Sequence, residues 1–166
     1  MRTDVLKRSA TKPTAATGDP VLQVHDLKVS FSSPRGRVKI LEGVHFSLYP
    51  GEILALVGET GCGKSVTAKA ILDLLPKTGV ERTGGIRFDA SSLMNRTNAE
   101  MRTFRGRRIA MIFQNPRSAL NPIRPVGKQI EDVLKRHIQA TRHDAKDKAI
   151  NMLRKVKILD PENRYW

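Results

Sequence analysis

The sequence predicts an α/β fold in which an antiparallel β region leads into a partial parallel sheet flanked by helices. Three observations carry that reading. Two runs near the start alternate apolar and polar residues, as half-buried strands do. Two later runs, 53–57 (ILALV) and 108–113 (RIAMIF), hold apolar residues with no polar face, the pattern of strands covered on both sides. Between and after them, apolar residues recur at helical spacing.

The elements follow in chain order. Residues 1–20 are polar and basic, lack the apolar core of a secretory signal, and are expected to form a disordered tail, with a transit peptide as the compositional alternative. Leu22, Val24, then Leu27, Val29 and Phe31 alternate as a strand, and 32–36 (SSPRG) is a turn. Val38, Ile40, Val44, Phe46 and Leu48 alternate again until 49–52 (YPGE) closes the run. The buried-type strand 53–57 comes next. A helix over 64–75 is expected from Val66, Ala70, Ile71, Leu74 and Leu75, and Pro76 ends it. Residues 84–89 read as a short strand, 98–104 as a short helix and 108–113 as a second buried strand. Asn115 with Pro116 and Asn121 with Pro122 then break the chain. Two helices close it. One spans 126–139, with Ile130, Val133, Leu134, His137 and Ile138 in a stripe; the other spans 144–156, with Ala145, Ala149, Met152, Leu153 and Val156 inward.

Between strand 53–57 and helix 64–75 stands GETGCGKS, which meets G-x-x-x-x-G-K-[ST] at Gly58, Gly63, Lys64 and Ser65. The chemistry asks for these types. Glycines let the backbone wrap a phosphate chain with its N–H groups turned inward, and the following helix presents its positive end to the same anion. Lys64 would reach the β- and γ-phosphates, and the Ser65 hydroxyl would complete the coordination of Mg²⁺. Composition alone yields such a match in about one chain of this length in a hundred, and here the strand before it and the helix after it supply the required context. The loop is expected to bind a magnesium nucleotide.

Bulk properties set the surroundings. The chain has 166 residues, 39% of them hydrophobic, so it can bury a core, and no run of apolar residues is long enough for a membrane span. Its one cysteine, Cys62, lies inside the loop and excludes an internal disulfide. The net charge is +14, but the basic residues are scattered and no aromatics interleave with them as base-stacking platforms would require. A membrane-side or partner-docking surface therefore competes with nucleic acid.

Hydrolysis needs an acidic residue at the end of a second buried strand. The run 156–160 (VKILD) ends in Asp160, but Lys157 would sit in mid-strand and Pro161 follows, so it is not that strand. RIAMIF ends in Gln114. On these residues a kinase, a GTPase, a transporter ATPase and a DNA-repair ATPase all stay open.

LKVSF (27–31), GEILALVGETGCGKS (51–65), MIFQNPRSALNPIRPVGKQI (111–130) and ILDPENRYW (158–166) together resemble the ATP-binding subunits of ABC transporters, in particular the oligopeptide and dipeptide importer branch. The likeness covers residues 21–166. It implies the N-terminal half of an ABC-type P-loop NTPase: an antiparallel β subdomain, a partial parallel core sheet and the start of a helical subdomain. It further implies that Gly58, Glu59, Thr60, Gly61, Cys62, Gly63, Lys64 and Ser65 form the phosphate loop for ATP. Gln114 would be the Q-loop glutamine, touching Mg²⁺ and the attacking water, and Phe31 the aromatic that stacks on adenine. The implied partners are two membrane-spanning permease subunits, a second ATP-binding subunit and, indirectly, a periplasmic solute-binding protein, at the cytoplasmic face of a bacterial inner membrane and without nucleic acid.

The family continues with a leucine-serine-glycine-glycine-glutamine signature, a Walker B aspartate, a catalytic glutamate and a switch histidine, and none of these is present in the sequence. The expectation is a truncated chain whose acidic complement lies in the absent part. Four readings follow: the ATPase of a peptide importer, a remnant that at best binds ATP, the ATPase of a nickel or glutathione importer, and a repair-type nucleic-acid-associated ATPase.

Overall fold

The computed structural model describes residues 18–115, 119–138 and 141–166. All but the last three residues of the expected tail fall outside that range, as do Pro116 and Gln139. The chain divides into two compact units, the first ending at Met101 and the second beginning at Arg102.

The first unit is built on a four-stranded antiparallel sheet in the order β2-β1-β3-β4. β1 (Leu22–Ser33) and β2 (Gly36–Leu48) form the hairpin that the alternation predicts, in register from Leu22 opposite Leu48 to Ser33 opposite Gly36. Gly36 holds φ +112°, and the Ser33 hydroxyl donates to its carbonyl at 2.7 Å, so the turn is closed by a residue without a Cβ penalty. β3 (Val80–Phe88) pairs along the other edge of β1, from Leu22 opposite Phe88 to Phe31 opposite Val80, and begins four residues earlier than the sequence suggests. β4 (Ser91–Ser92) is a short return strand. α1 (Lys64–Ile71) contacts β2, and Leu27, Val29, Leu41 and Ile86 of the sheet are buried, as are Ala70 and Ile71 of the helix and Leu72 and Leu75 after it. α2 (Asn98–Phe104), which runs across the division between the units, starts at a capping box: Thr97 N–H donates to the Glu100 carboxylate at 2.7 Å, and Glu100 N–H to the Thr97 hydroxyl at 3.3 Å.

In the second unit α3 (Val126–Ile138) and α4 (Arg142–Lys155) pack together, and α5 (Pro161–Arg164) returns against α4. Their core is Leu134, Ala145, Ala149, Leu153 and Tyr165. No helix among the described residues is long and apolar enough to cross a membrane.

Four expectations are corrected. Neither 53–57 nor 108–113 is a strand: Ile53 is 96% exposed, Val57 80% and Ile112 96%, and only a single parallel bridge, Arg105 to Ile109, touches the second run. The partial parallel core sheet is therefore not formed among the described residues. An apolar run becomes a strand only when neighbours satisfy its N–H and C=O groups, and no described strand pairs with either segment. α1 ends at Ile71, short of Leu75, because Asp73 turns left-handed at φ +52° and Leu74 N–H closes back to the Lys69 carbonyl at 2.8 Å. On α3 the buried residues are Gly127, Glu131 and Leu134, whereas Val133 and Ile138 are exposed. On α4 Met152 is exposed, as is Val156 just past its end; the buried residues Ala145, Ala149 and Leu153 share a core with Leu134 of α3.

Candidate functional site

The loop 58–65 is shaped by its glycines and tied by its lysine. Gly61 holds φ +90° and Gly63 φ +97°, left-handed conformations that residues with a Cβ avoid. Gly63 is also wedged against β2: a Cβ there would stand 2.4 Å from Leu41 Cδ2 and 3.2 Å from the Ile40 carbonyl oxygen. Lys64 folds back over the turn. Its ammonium donates to the Gly58 carbonyl at 2.5 Å and the Glu59 carbonyl at 2.7 Å and lies 3.4 Å from Cys62 Sγ. Cys62 N–H donates to the Glu59 carbonyl at 3.3 Å, completing the curve.

α1 opens straight out of this curve. Gly63 brings no capping side chain, and the first turn has no acidic residue, so nothing in the helix's own sequence neutralises its positive end. Thr67 holds the join: its N–H and its hydroxyl both donate to the Gly63 carbonyl, at 2.8 and 3.0 Å. Sequence reading missed Thr67; the four-residue spacing from Gly63 was the available signal. Ser65 is exposed in the first turn. The arrangement is a glycine-bearing turn that carries a lysine ammonium and leads into an uncapped helix N-terminus, features that favour an anion.

Phe31 stands half-buried on β1, opposite Val38 of β2 and Val80 of β3. It lies two positions beyond Val29, which pairs with Leu41, so the strand period puts it on the face that carries the Leu41 contact with Gly63. Gln114 belongs to the second unit and is exposed at a bend after Phe113.

The chain beyond Gln114 is braced by a residue that the sequence did not single out. The Gln129 side-chain amide accepts from Asn121 N–H at 2.9 Å and donates to the carbonyls of Asn121 and Arg124, each at 3.0 Å. Arg124 in turn pairs with Asp132 at 2.8 Å. Two residues along the same helix, Glu131 is 1% exposed, bonded to Lys128, Lys135 and the Tyr165 hydroxyl. Burial pushes its carboxyl up, but the hydrogen bonds and charges of Lys135 and Lys128 outweigh that and hold it below the usual glutamate range. Among the described residues no group of three or more His, Cys, Asp and Glu side chains forms a metal cage.

Comparison with known proteins shows the family. Residues 41–166 match the sequence model of the ABC transporter family. The chain is 45% identical over 147 residues to the "probable peptide ABC transporter ATP-binding protein" of Sinorhizobium fredii, an alignment covering 88% of this chain and 44% of that relative. Two Bacillus subtilis proteins, an oligopeptide transport and a dipeptide transport ATP-binding protein, are each 44% identical. Those alignments cover 87% and 88% of this chain and 40% and 44% of the relatives. The chain thus spans less than half the length of these relatives. With the family model matching most of the chain, the chain belongs to the ABC transporter family, and residues 41–166 are part of an ABC ATPase domain.

Proposed function

We propose that these residues are the nucleotide-holding part of an energy-coupling subunit that drives peptide import across a bacterial inner membrane. The observation that carries the reading is the loop 58–65: two left-handed glycines, an uncapped helix N-terminus and a lysine ammonium bound at three positions along one curve. The oxygens of a triphosphate would replace the Gly58 and Glu59 carbonyls as acceptors for the Lys64 ammonium. The amides of Gly61, Cys62, Gly63, Lys64 and Ser65 would hold the phosphate oxygens, with Glu59 and Thr60 in the same curve. Ser65 fits Mg²⁺, because it offers an exposed hydroxyl in the first turn, and that ion takes most of its ligands from phosphate and water rather than from a protein cage. Bound there, Mg²⁺ neutralises charge on the outer phosphates. Phe31 stacks on adenine in this reading, and Gln114 serves as second magnesium contact and water-orienting residue.

The domain limits proposed are a tail over 1–20 and the nucleotide-binding portion over 21–166. Peptide is favoured as the solute because the relatives named above bear peptide, oligopeptide and dipeptide transport in their names. The partners proposed are two permease subunits and a second ATP-binding subunit, with the complex at the cytoplasmic face. For these residues by themselves the proposal is Mg-ATP binding; hydrolysis and import belong to the assembled transporter. The test is equilibrium binding of Mg-ATP to the chain and to Lys64→Ala. Loss of the charge-assisted phosphate contacts should weaken binding by at least about tenfold. Equal affinities, or no binding by the unsubstituted chain, would sink the reading.

A further inference from the structure

A cluster of charges lies at the far end of the loop's helix. α1 is closed by Asp73, which holds φ +52°, a conformation that favours glycine. Its carboxylate is only 9% exposed and has two basic partners: Lys77 Nζ at 2.5 Å and Arg82 Nη2 at 3.2 Å. Arg82 stands on β3 with its side chain 15% exposed, and its Nη1 donates to the Ala70 carbonyl at 2.8 Å. One guanidinium therefore ties the last turn of α1 and its closing residue to the sheet.

Stability alone does not call for this arrangement. Buried ion pairs seldom outperform apolar packing, and a non-glycine residue at positive φ adds strain. What the cluster does supply is a second point of attachment. α1 has 8 residues and is about 12 Å long, and its first end rests on Leu41 through Gly63. Ala70, Ile71 and Leu72 already bury the far end, but apolar packing is non-directional and leaves the pitch of a short rod adjustable; a tilt of about 10° re-aims its N-terminal amides by as much as a phosphate site tolerates. Directed bonds from Arg82 to the Ala70 carbonyl and the Asp73 carboxylate fix that pitch.

We propose that Arg82 and Asp73 are positioning residues for the phosphate group: a tether that fixes the pitch of α1 and so the aim of the loop amides. The proposal rests on the reading of residues 58–65 as a phosphate cradle. The test uses Arg82→Ala, Arg82→Lys and Asp73→Gly in the 166-residue chain. Asp73→Gly matters most, because glycine relieves the backbone while removing the carboxylate. Two readouts are needed: amide hydrogen exchange of residues 61–67 compared with β1, and equilibrium binding of Mg-ATP, Mg-ADP and adenosine. Arg82→Ala and Asp73→Gly should each speed exchange in the loop about tenfold without speeding it in β1, and weaken both nucleotides about tenfold. Adenosine binding should not change, and Arg82→Lys, able to reach one partner only, should fall between. Unchanged loop exchange with Mg-ATP binding intact overturns the tether alone, as does exchange rising equally in loop and strand. Failure of the unsubstituted chain to bind Mg-ATP overturns the cradle reading and the positioning role with it.

Discussion

Gly63→Ala probes the loop's attachment to the sheet, and the structure supplies its own control. At Gly63 two costs combine. A Cβ at φ +97° costs roughly 1–2 kcal/mol of backbone strain. It also stands 2.4 Å from Leu41 Cδ2, where carbon atoms want about 3.5–4.0 Å, so the leucine must retreat by about 1 Å or more. Leu41 is 2% exposed with packed neighbours, and such overpacking costs roughly 1–3 kcal/mol. At Gly61 the conformation is similar, φ +90°, but nothing lies within 4 Å of a Cβ, so only the first cost applies. The difference between the two variants is then about 2 kcal/mol, a factor of about thirty. Native-state hydrogen exchange of the β2 amides measures it, because opening there releases the Leu41 contact. Gly63→Ala should exchange about thirtyfold faster than Gly61→Ala. Equal rates would show that the loop does not bear on the sheet, and the account of Gly63 would fail.

Two further predictions concern the second unit, where Trp166, the chain's one tryptophan, lies edge-on to Tyr165 at 5.0 Å and reports unfolding by fluorescence. Tyr165→Phe keeps the ring packed on Gly127 but removes the hydroxyl that donates to the buried Glu131 carboxylate, a loss of about 2 kcal/mol in urea unfolding; a change below about 0.5 kcal/mol would count against that bond. Glu131 also sets an acid limit. Its folded pKa is lowered, so its contribution is fully present above the ordinary glutamate value of 4.5 and is lost as pH falls through the lower folded value. Glu131→Gln should flatten the fall in urea midpoint below that pH, and an unaltered acid slope would assign the sensitivity elsewhere.

Local pattern carried the parts of the fold that depend on neighbours in sequence. The alternation in LKVSF, the Ser-Pro-Arg-Gly turn and the Gly-Lys-Ser start of α1 were legible because each needs only a few adjacent residues. The runs 53–57 and 108–113 were misread for the opposite reason: apolarity states what a segment would bury, not whether a partner strand is there. On α3 the apolar stripe pointed at Val133, but Glu131 is inside. A carboxylate with three donors can be buried, and Gly127 leaves room for Tyr165, a residue 38 positions along the chain. Asp73 and Arg82 look in the sequence like two solvated charges; only the pairing of β1 with β3 brings Arg82 to the end of α1. Of the site, the loop 58–65 was legible by motif, whereas Thr67 and Gln129 act through backbone carbonyls that no side-chain pattern advertises.

The bare run 53–57 has a colloidal consequence. Five apolar residues with β-branched Ile53 and Val57 at their ends, exposed and in no described strand, are the kind of segment that stacks copy upon copy into cross-β assemblies. What opposes this is the charge of +14, which keeps copies apart over a range set by the ions in solution. That range is about 10 Å at 0.1 M salt and about 3 Å at 1 M, so raising ionic strength removes the barrier while leaving the sticky segment in place. Salting this chain should therefore cloud it, and dilute buffer is where it stays dispersed.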